Sequence, residues 1–318
     1  MPRHRYPAWM WENRVHRPPG ITVEAIGGLG NQLFVFAVGR ALAAKNDCPL
    51  YVDKTWYLSA DDRTYQLRDF TNPAIDLDDR GRGRKTGRRC TNVGRRVRNR
   101  IPRGLSSRMT DRLFVERGFS YDPAVLALPP GTRLRGFFQS WRYFQEIGPV
   151  LRQEILSLTA PSTWYSEMKR ESCKEDEWIA IHVRRGDYMM PFSLNYHGIV
   201  QREYYARALR LVFSLIGEQR VVVFSDDPNA ASELLSGLSP SISHVRPPAG
   251  ASALESIALM SEAKAVITAN SSFSWWAAWL GDRAGRPVIA PRPWFDGVTI
   301  SENDLLLPTW LSVGKETV

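Results

Sequence analysis

The sequence predicts an α/β protein built of two facing nucleotide-fold halves, and three features predict it. From residue 178 onward, apolar β-branched runs alternate with amphipathic helical ones, the pattern of a doubly wound parallel sheet. The first half opens in the same way: ITVEAI reads as a strand, GGLGNQ as a turn and NQLFVFAVGRALAAK as a helix ending near Asn46. Between the halves Pro161 to Glu177 is polar and reads as a joint, and 318 residues exceed the usual size of a single core. The expected division is an N-terminal extension over 1–20, a first Rossmann-like domain over 21–165 with an insertion at 80–112, and a second over 166–318.

In the second half five runs read as strands: WIAIHV (178–183), RVVVFS (220–225), SISHV (241–245), AVITAN (265–270) and PVIA (287–290). Helical stretches at 203–216, 229–236, 252–263 and 272–280 separate them. In EYYARALRLVFSLI, Tyr204, Ala208, Leu211 and Leu215 recur at three- and four-residue steps and predict one buried face. In the first half, LYVD, LFVE and RLRGFF read as strands, and a long helix is expected from Trp141 to about Leu158.

Composition narrows the function classes. Cys48, Cys90 and Cys173 lie far apart without a C-x-x-C spacing, which argues against a disulfide framework or a cysteine-built metal site and fits a reducing cytoplasm. The N-terminus is broken by prolines and charges where a signal peptide needs an apolar core, and no 18-residue apolar run occurs. A cytoplasmic protein, at most peripheral to a membrane, is expected. The net charge of +9 is local. Residues 80–112 hold twelve arginines and Lys85 against Asp111, a balance of +12 that leaves −3 for the rest. Rich in Gly and Arg, this insertion reads as a solvated loop or as a patch for an anionic membrane surface or acidic acceptor. A nucleic-acid arm is the competing reading; without aromatic stacking platforms it ranks behind, and no nucleic-acid partner is expected.

Ligands of open parallel sheets bind outside the carboxyl ends of the strands. There WIAIHV ends at Arg184, Arg185 and Asp187, RVVVFS at Ser225, Asp226 and Asp227, and AVITAN at Asn270, Ser271 and Ser272, which also open a helix. Arginine offers phosphate a rigid fork of donors, and a helix start adds N–H groups that favour anions, so the rim suits a diphosphate. Side chains alternate along a strand, which places His182 and Arg184 on one face and Arg185 on the other; Arg184 is the expected ligand contact. An interdomain salt bridge with Asp187 or Asp226 is the competing role for the arginines, a hydrogen-bonded core position that for His182. Asp226 reads as a ligand acceptor, Asp227 as a helix cap.

In the first half, GGLGNQ is not a dinucleotide fingerprint, because Leu33 stands at the third glycine position. Its glycines, Gly28 above all, still let the backbone approach a ligand, and Asn31 and Gln32 offer amides at the helix start. A tight turn with a capping Asn would explain the glycines and leave Gln32 unexplained. Asp76 and Asp78 form a D-x-D pair in a polar stretch before the insertion and read as surface residues, so arginine in place of a metal is the simpler account and no metal site is expected.

Four stretches together resemble the α-1,2-fucosyltransferase family, glycosyltransferase family 11: GGLGNQLF (27–34), FFQSWRYF (137–144), IHVRRGDY with the following HGIVQREYY, and NSSFSWWAAWL (270–280). The likeness runs from about Gly27 to Trp294. It implies two facing Rossmann-like domains of GT-B type, with the acceptor on the first and the donor nucleotide on the second. It implies inverting, metal-independent transfer of L-fucose from GDP-β-L-fucose to the 2-hydroxyl of a terminal galactose in a glycan, with no cofactor. Arg184 would hold the diphosphate, with His182, Arg185 and Asp187 in the same motif. Asn270, Ser271 and Ser272 would face the nucleotide together with Asp226, and Gly28, Asn31 and Gln32 would approach the fucose or diphosphate across the cleft. Asp187 and His197 are the candidates for the base. After GNQLF the chain has Val35 and Phe36 where the family commonly has a polar residue and Tyr. Another nucleotide sugar on the same scaffold is the alternative donor.

Overall fold

The computed structural model describes residues 18–60, 63–70, 72–77, 112–174, 177–186, 198–296 and 302–315. The first sheet comprises β1 (Ile21–Glu24), β2 (Leu50–Asp53), β3 (Ile75–Leu77), β4 (Arg112–Val115) and β5 (Thr132–Arg135), in the order β3-β2-β1-β5-β4. The second comprises β6 (Trp178–Val183), β7 (Arg220–Ser225), β8 (Ile242–His244), β9 (Ala265–Ile267), β10 (Val288–Arg292) and β11 (Leu311–Gly314), in the order β11-β10-β9-β6-β7-β8. Neighbouring strands run parallel throughout both sheets. The helices are α1 (Leu29–Lys45), α2 (Gly148–Leu156), α3 (Thr163–Lys174), α4 (Arg202–Ile216), α5 (Pro228–Leu235), α6 (Ala253–Glu262) and α7 (Ser272–Leu280).

β6 and β7 coincide with their predicted runs because they are central strands, apolar on both faces, where a continuous β-branched run has one buried solution. Elsewhere the structure corrects the sequence expectations. The second half has a sixth strand, β11, on the edge. β9 stops at Ile267, and three residues on the Asn270 amide bonds two loops. RLRGFF leaves the sheet after Arg135, where Gly136 (φ 154°) and Phe138 (φ 50°) depart from β geometry. The long helix expected from Trp141 is two short 3₁₀ turns, Trp141–Tyr143 and Gln145–Ile147, followed by α2. Pro149 imposes the break: it has no N–H to donate, and its ring collides with the carbonyl four residues back in any helix arriving from upstream. On α4 the buried stripe is Tyr204, Tyr205, Ala208, Leu209 and Val212, while Leu215 is exposed.

The polar joint at 161–177 is mostly helix α3, whose Tyr165 packs into the core. The backbone of Asp76 belongs to the edge strand β3, in register with Val52; Asp78 lies outside the described residues. Arg112 opens β4, and the rest of the basic insertion lies outside the described residues.

One apolar cluster runs through both halves. α1 is buried around most of its circumference because β1 and β2 lie on one side and α7 on the other. Phe34 of α1 lies 4.5 Å from Trp275 and 5.0 Å from Trp276 of α7, and Phe144 stacks on Trp276 at 5.5 Å. Fully burying such a side chain contributes roughly 1.5–3 kcal/mol, so this aromatic seam is enough to hold the halves in fixed register. Arg40 of α1 adds a bidentate pair with Glu154 of α2 at 2.8–3.1 Å. The ends of the two sheets that carry the candidate residues are thereby brought together.

Candidate functional site

The site forms where the turn after β1 meets the carboxyl ends of β9, β6 and β7. Gly27 adopts φ 71°, and a side chain there would press on the Asn31 amide at 2.9 Å. Gly30 has a different reason to be glycine: an added Cβ would sit 2.5 Å from Ser272 Oγ and 2.6 Å from Ser272 C. Its close approach is to α7, not to a ligand. The carbonyl of Gly30 also accepts the Trp276 indole N–H at 2.9 Å. At Gly28, the extended N-cap of α1, nothing lies within 4 Å of an added Cβ, and this glycine faces open space.

Gln32 departs from its expected role. It is wholly buried; its Nε2 donates to the carbonyls of Gly27 (3.1 Å) and Thr64 (2.8 Å), and its Oε1 accepts the Gln66 N–H at 2.8 Å. The side chain pins the glycine turn to the 64–66 loop and is not offered to a ligand. Tyr57 braces the same turn by donating its hydroxyl to Gly27 O at 2.8 Å. Asn31 is half-buried at the cleft, and its Oδ1 accepts from Gln139 Nε2 at 2.8 Å.

Across the cleft, the alternation expected at the end of β6 is present. His182 packs on Phe273 of α7 at 5.3 Å, whereas Ile181 and Val183 belong to the cluster that holds Tyr205 on the opposite face of the sheet. Arg184 Nε pairs with Asp226 Oδ2 at 3.2 Å, and Asp226 Oδ1 accepts the Arg185 backbone N–H at 2.9 Å. Both oxygens of Asp226 are therefore directed at the β6 loop rather than outward. This gives Arg184 the Asp226 salt bridge weighed for the arginines, made within the second half and not between the halves. Gly186 makes room for the carboxylate, since a Cβ there would lie 2.4 Å from Asp226 Oδ2. Asp227 caps α5 through Ala230 N–H at 3.0 Å, as expected.

Asp226 thus holds the guanidinium of Arg184, whose side chain stays one-fifth exposed. His182 is buried, its Nδ1 has no hydrogen-bond partner among the described residues, and desolvation followed by the Arg184 charge lowers its pKa to about 3. The imidazole is neutral at physiological pH and adds no charge beside the arginine.

On the neighbouring strand, Ser271 is the N-cap of α7 and accepts the Phe273 N–H, while Ser272 stands in the first turn against Gly30. Asn270 is buried: its Nδ2 donates to Gly198 O at 3.3 Å and Trp294 O at 3.2 Å. It ties two loops together and does not present its amide to a nucleotide. Asp187 and His197 lie outside the described residues. Among the described residues no group of three or more His, Cys, Asp or Glu is placed to hold a metal ion.

Sequence reasoning did not assign Glu116. It closes β4, and its Oε2 and Oε1 accept the N–H groups of Phe137 (2.7 Å) and Phe138 (2.9 Å). Desolvation raises its pKa, against the pull of those two bonds. By holding the turn at Phe138 it aims Gln139 at Asn31. The signal was in the sequence: LFVE ends an apolar run on a charge, just as WIAIHV runs into Arg184.

The arrangement can bind an anion at a point flanked by a tethered arginine, the amino end of α7 and a glycine turn. Comparison with known proteins gives this chemistry a context. The family model described as glycosyl transferase family 11 matches residues 129–314. The O-antigen biosynthesis glycosyltransferase WbnK of Escherichia coli is 28% identical over 305 residues, covering 90% of this chain and 98% of that protein. An α-1,2-colitosyltransferase of Escherichia coli is 28% identical over 301 residues, covering 93% and 99%. Among solved structures, the fucosyltransferase NodZ from Bradyrhizobium matches with a TM-score of 0.49 at 15% identity, covering 82% of this chain and 93% of that one.

Proposed function

Because the chain belongs to glycosyltransferase family 11, we propose that it transfers L-fucose from GDP-β-L-fucose to the 2-hydroxyl of a terminal galactose in a glycan, with inversion and without a metal ion. The observation that carries the donor reading is Arg184, a cation tethered by Asp226 at the end of β6 and flanked by the first turn of α7. A leaving GDP gains negative charge as the glycosidic bond breaks. A guanidinium contact to that diphosphate is worth about 1.5–3 kcal/mol in the ground state and more as the charge develops, and the α7 N–H groups add to it. In this reading the two parallel sheets form a GT-B arrangement with the acceptor-side domain over 21–165 and the donor domain over 166–318. Gly28 and Asn31 approach the sugar-diphosphate from the first half. Inversion places the acceptor hydroxyl opposite the departing diphosphate, with a base beside it; Asp187 and His197 are the candidates.

The α-1,2-colitosyltransferase relative favours a second reading in which the sugar transferred is colitose in place of fucose. Among the described residues no helix is long and apolar enough to cross a membrane, and we place the reaction in the cytoplasm, with 80–112 as a patch for an anionic membrane surface. The test is incubation with GDP-fucose and β-galactosides in EDTA, with GDP-colitose in parallel and calorimetric titration of GDP, UDP and ADP. Fucosylated product and a preference for GDP support the proposal; activity only with added Mn²⁺, or preference for another nucleotide, contradicts it. Arg184→Ala should remove nearly all transfer with the melting temperature retained, and unchanged turnover would withdraw the central assignment.

A further inference from the structure

A second concave feature lies at the carboxyl end of β4, apart from the Arg184 rim. It has a volume of about 340 Å³, within the range of small-molecule sites, and its walls combine the rings of Phe114, Tyr121, Phe138 and Tyr143 with the carboxylate of Glu116. We propose that this cleft is the subsite for the hexopyranosyl residue of the acceptor. The inference rests on the transferase reading above and adds to it where the neutral sugar sits.

A pyranose has weakly polar C–H faces and a girdle of hydroxyls, so it is recognised by aromatic rings together with fixed hydrogen-bond acceptors and donors. This cleft supplies both. Tyr121 and Phe114 present the accessible ring surface; the buried Tyr143 backs Tyr121 at 4.9 Å and meets the buried Phe138 edge-on at 6.0 Å, which holds that surface rigid so that it loses little entropy on binding. Each oxygen of Glu116 takes one backbone N–H, which leaves one lone pair on each for a sugar hydroxyl. The Tyr143 hydroxyl accepts the Asp122 N–H at 2.9 Å and keeps its own proton to donate. Acceptors and a donor beside an apolar wall suit adjacent hydroxyls on one ring; a lipid chain or apolar peptide would leave the second lone pair of each Glu116 oxygen and the Tyr143 proton unmatched.

Two contacts set the position of the cleft relative to the donor rim. Glu116 holds the turn from which Gln139 reaches Asn31, so the cleft wall and the glycine turn are one hydrogen-bonded unit. The outer wall is anchored on the second half: Tyr121 N–H donates to Asp304 at 2.9 Å, and Arg142 pairs with Asp304 at 2.9 Å while its guanidinium lies 4.2 Å over the Tyr121 ring. The cleft therefore lies where the halves meet.

Tyr121→Ala removes the exposed edge of the wall and leaves the Glu116 clamp intact. Steady-state kinetics with lactose as acceptor should show at least a tenfold rise in its KM, with the calorimetric Kd for GDP within twofold of wild type and the melting temperature retained. An unchanged KM for lactose, or a GDP affinity that falls in parallel, overturns the assignment. Saturation-transfer NMR with methyl β-D-galactopyranoside provides a readout independent of the donor. Signals present with wild type and absent with Tyr121→Ala support the subsite even if GDP proves to be the wrong nucleotide. Equal signals from both proteins, or none from either, refute it, and binding of micelles in place of the galactoside would reassign the cleft to lipid.

Discussion

The two glycines that flank the start of α1 permit a paired test. At Gly30 an added Cβ would lie 2.6 Å from Ser272 C and 2.8 Å from Phe273 N, both backbone atoms that cannot swing aside. Ordinary contact begins near 3.4 Å, so α1 and α7 must separate by roughly 0.8 Å at their crossing, across a seam packed at crystal-like density. Overpacking of this kind costs about 1–3 kcal/mol, and stretching the Trp276 to Gly30 hydrogen bond adds about 1 kcal/mol more. With about 2.1 cal/mol/K of unfolding entropy per residue, a total near 2–4 kcal/mol corresponds to a fall in Tm of about 3–6 °C for a chain of this length. The same shift moves the glycine turn relative to Ser272, and misplacement by about 1 Å costs on the order of a hundredfold in rate.

Gly28→Ala is the control. Its φ of −77° suits any residue and its Cβ would point into open space, so only the weaker capping by alanine acts on stability, and Tm should stay within about 2 °C of wild type. If the turn approaches the sugar-diphosphate, the donor KM of that variant rises regardless. Calorimetric Tm and donor kinetics on both variants decide the matter. A Gly30→Ala protein as stable as wild type would refute the steric argument, and Gly28→Ala with unchanged donor KM would remove Gly28 from the ligand surface.

Two further outcomes follow from the Arg184 side of the cleft. Asp226→Ala should raise the donor KM about tenfold, and the Arg184→Ala, Asp226→Ala double variant should be no worse than Arg184→Ala alone, because the aspartate acts through the arginine it tethers; additive losses in the kinetic cycle would separate the two residues. His182 holds its pKa near 3 against an ordinary 6.5, so the unfolded chain takes up a proton that the folded chain refuses as pH falls through that window. Its penalty is absent above pH 6.5 and grows to about 2 kcal/mol at pH 5; urea unfolding should show wild type losing about that much more stability than His182→Gln between pH 8 and pH 5, and equal losses would contradict the burial argument.

The sequence exposed the fold where burial leaves one choice and obscured it where the choice depends on neighbours. β6, β7 and α7 were legible because continuous β-branched runs and the SSFSWWAAWL stripe bury themselves on every side. β3 and β11 were not, since short edge strands need little apolar sequence. α3 passed for a linker because only a narrow stripe, Tyr165 among it, meets the core. In the site, residue types were legible and partners were not. Composition marks Gln32 and Asn270 as polar groups on a binding rim, yet which carbonyls surround them is decided by loops 32 and 72 residues away in the chain.

That difference in partners has a mechanistic consequence. The polar residues at this junction divide into those that fix the two halves and those set out toward the cleft. Gln32, Asn270 and Asp226 spend their hydrogen bonds on backbone or on another side chain, at positions where a ligand would otherwise compete for them. On the proposed function, Arg184, Gly28 and Ser272 then do not have to be ordered by the donor when it arrives, and the ordering cost is met during folding by the Phe34, Phe144 and Trp276 seam. A diphosphate arriving at such a site meets a guanidinium already held in place. On the function proposed here the tether favours catalysis, since any freedom left in Arg184 would have to be removed at each turnover, when the charge on the leaving group develops.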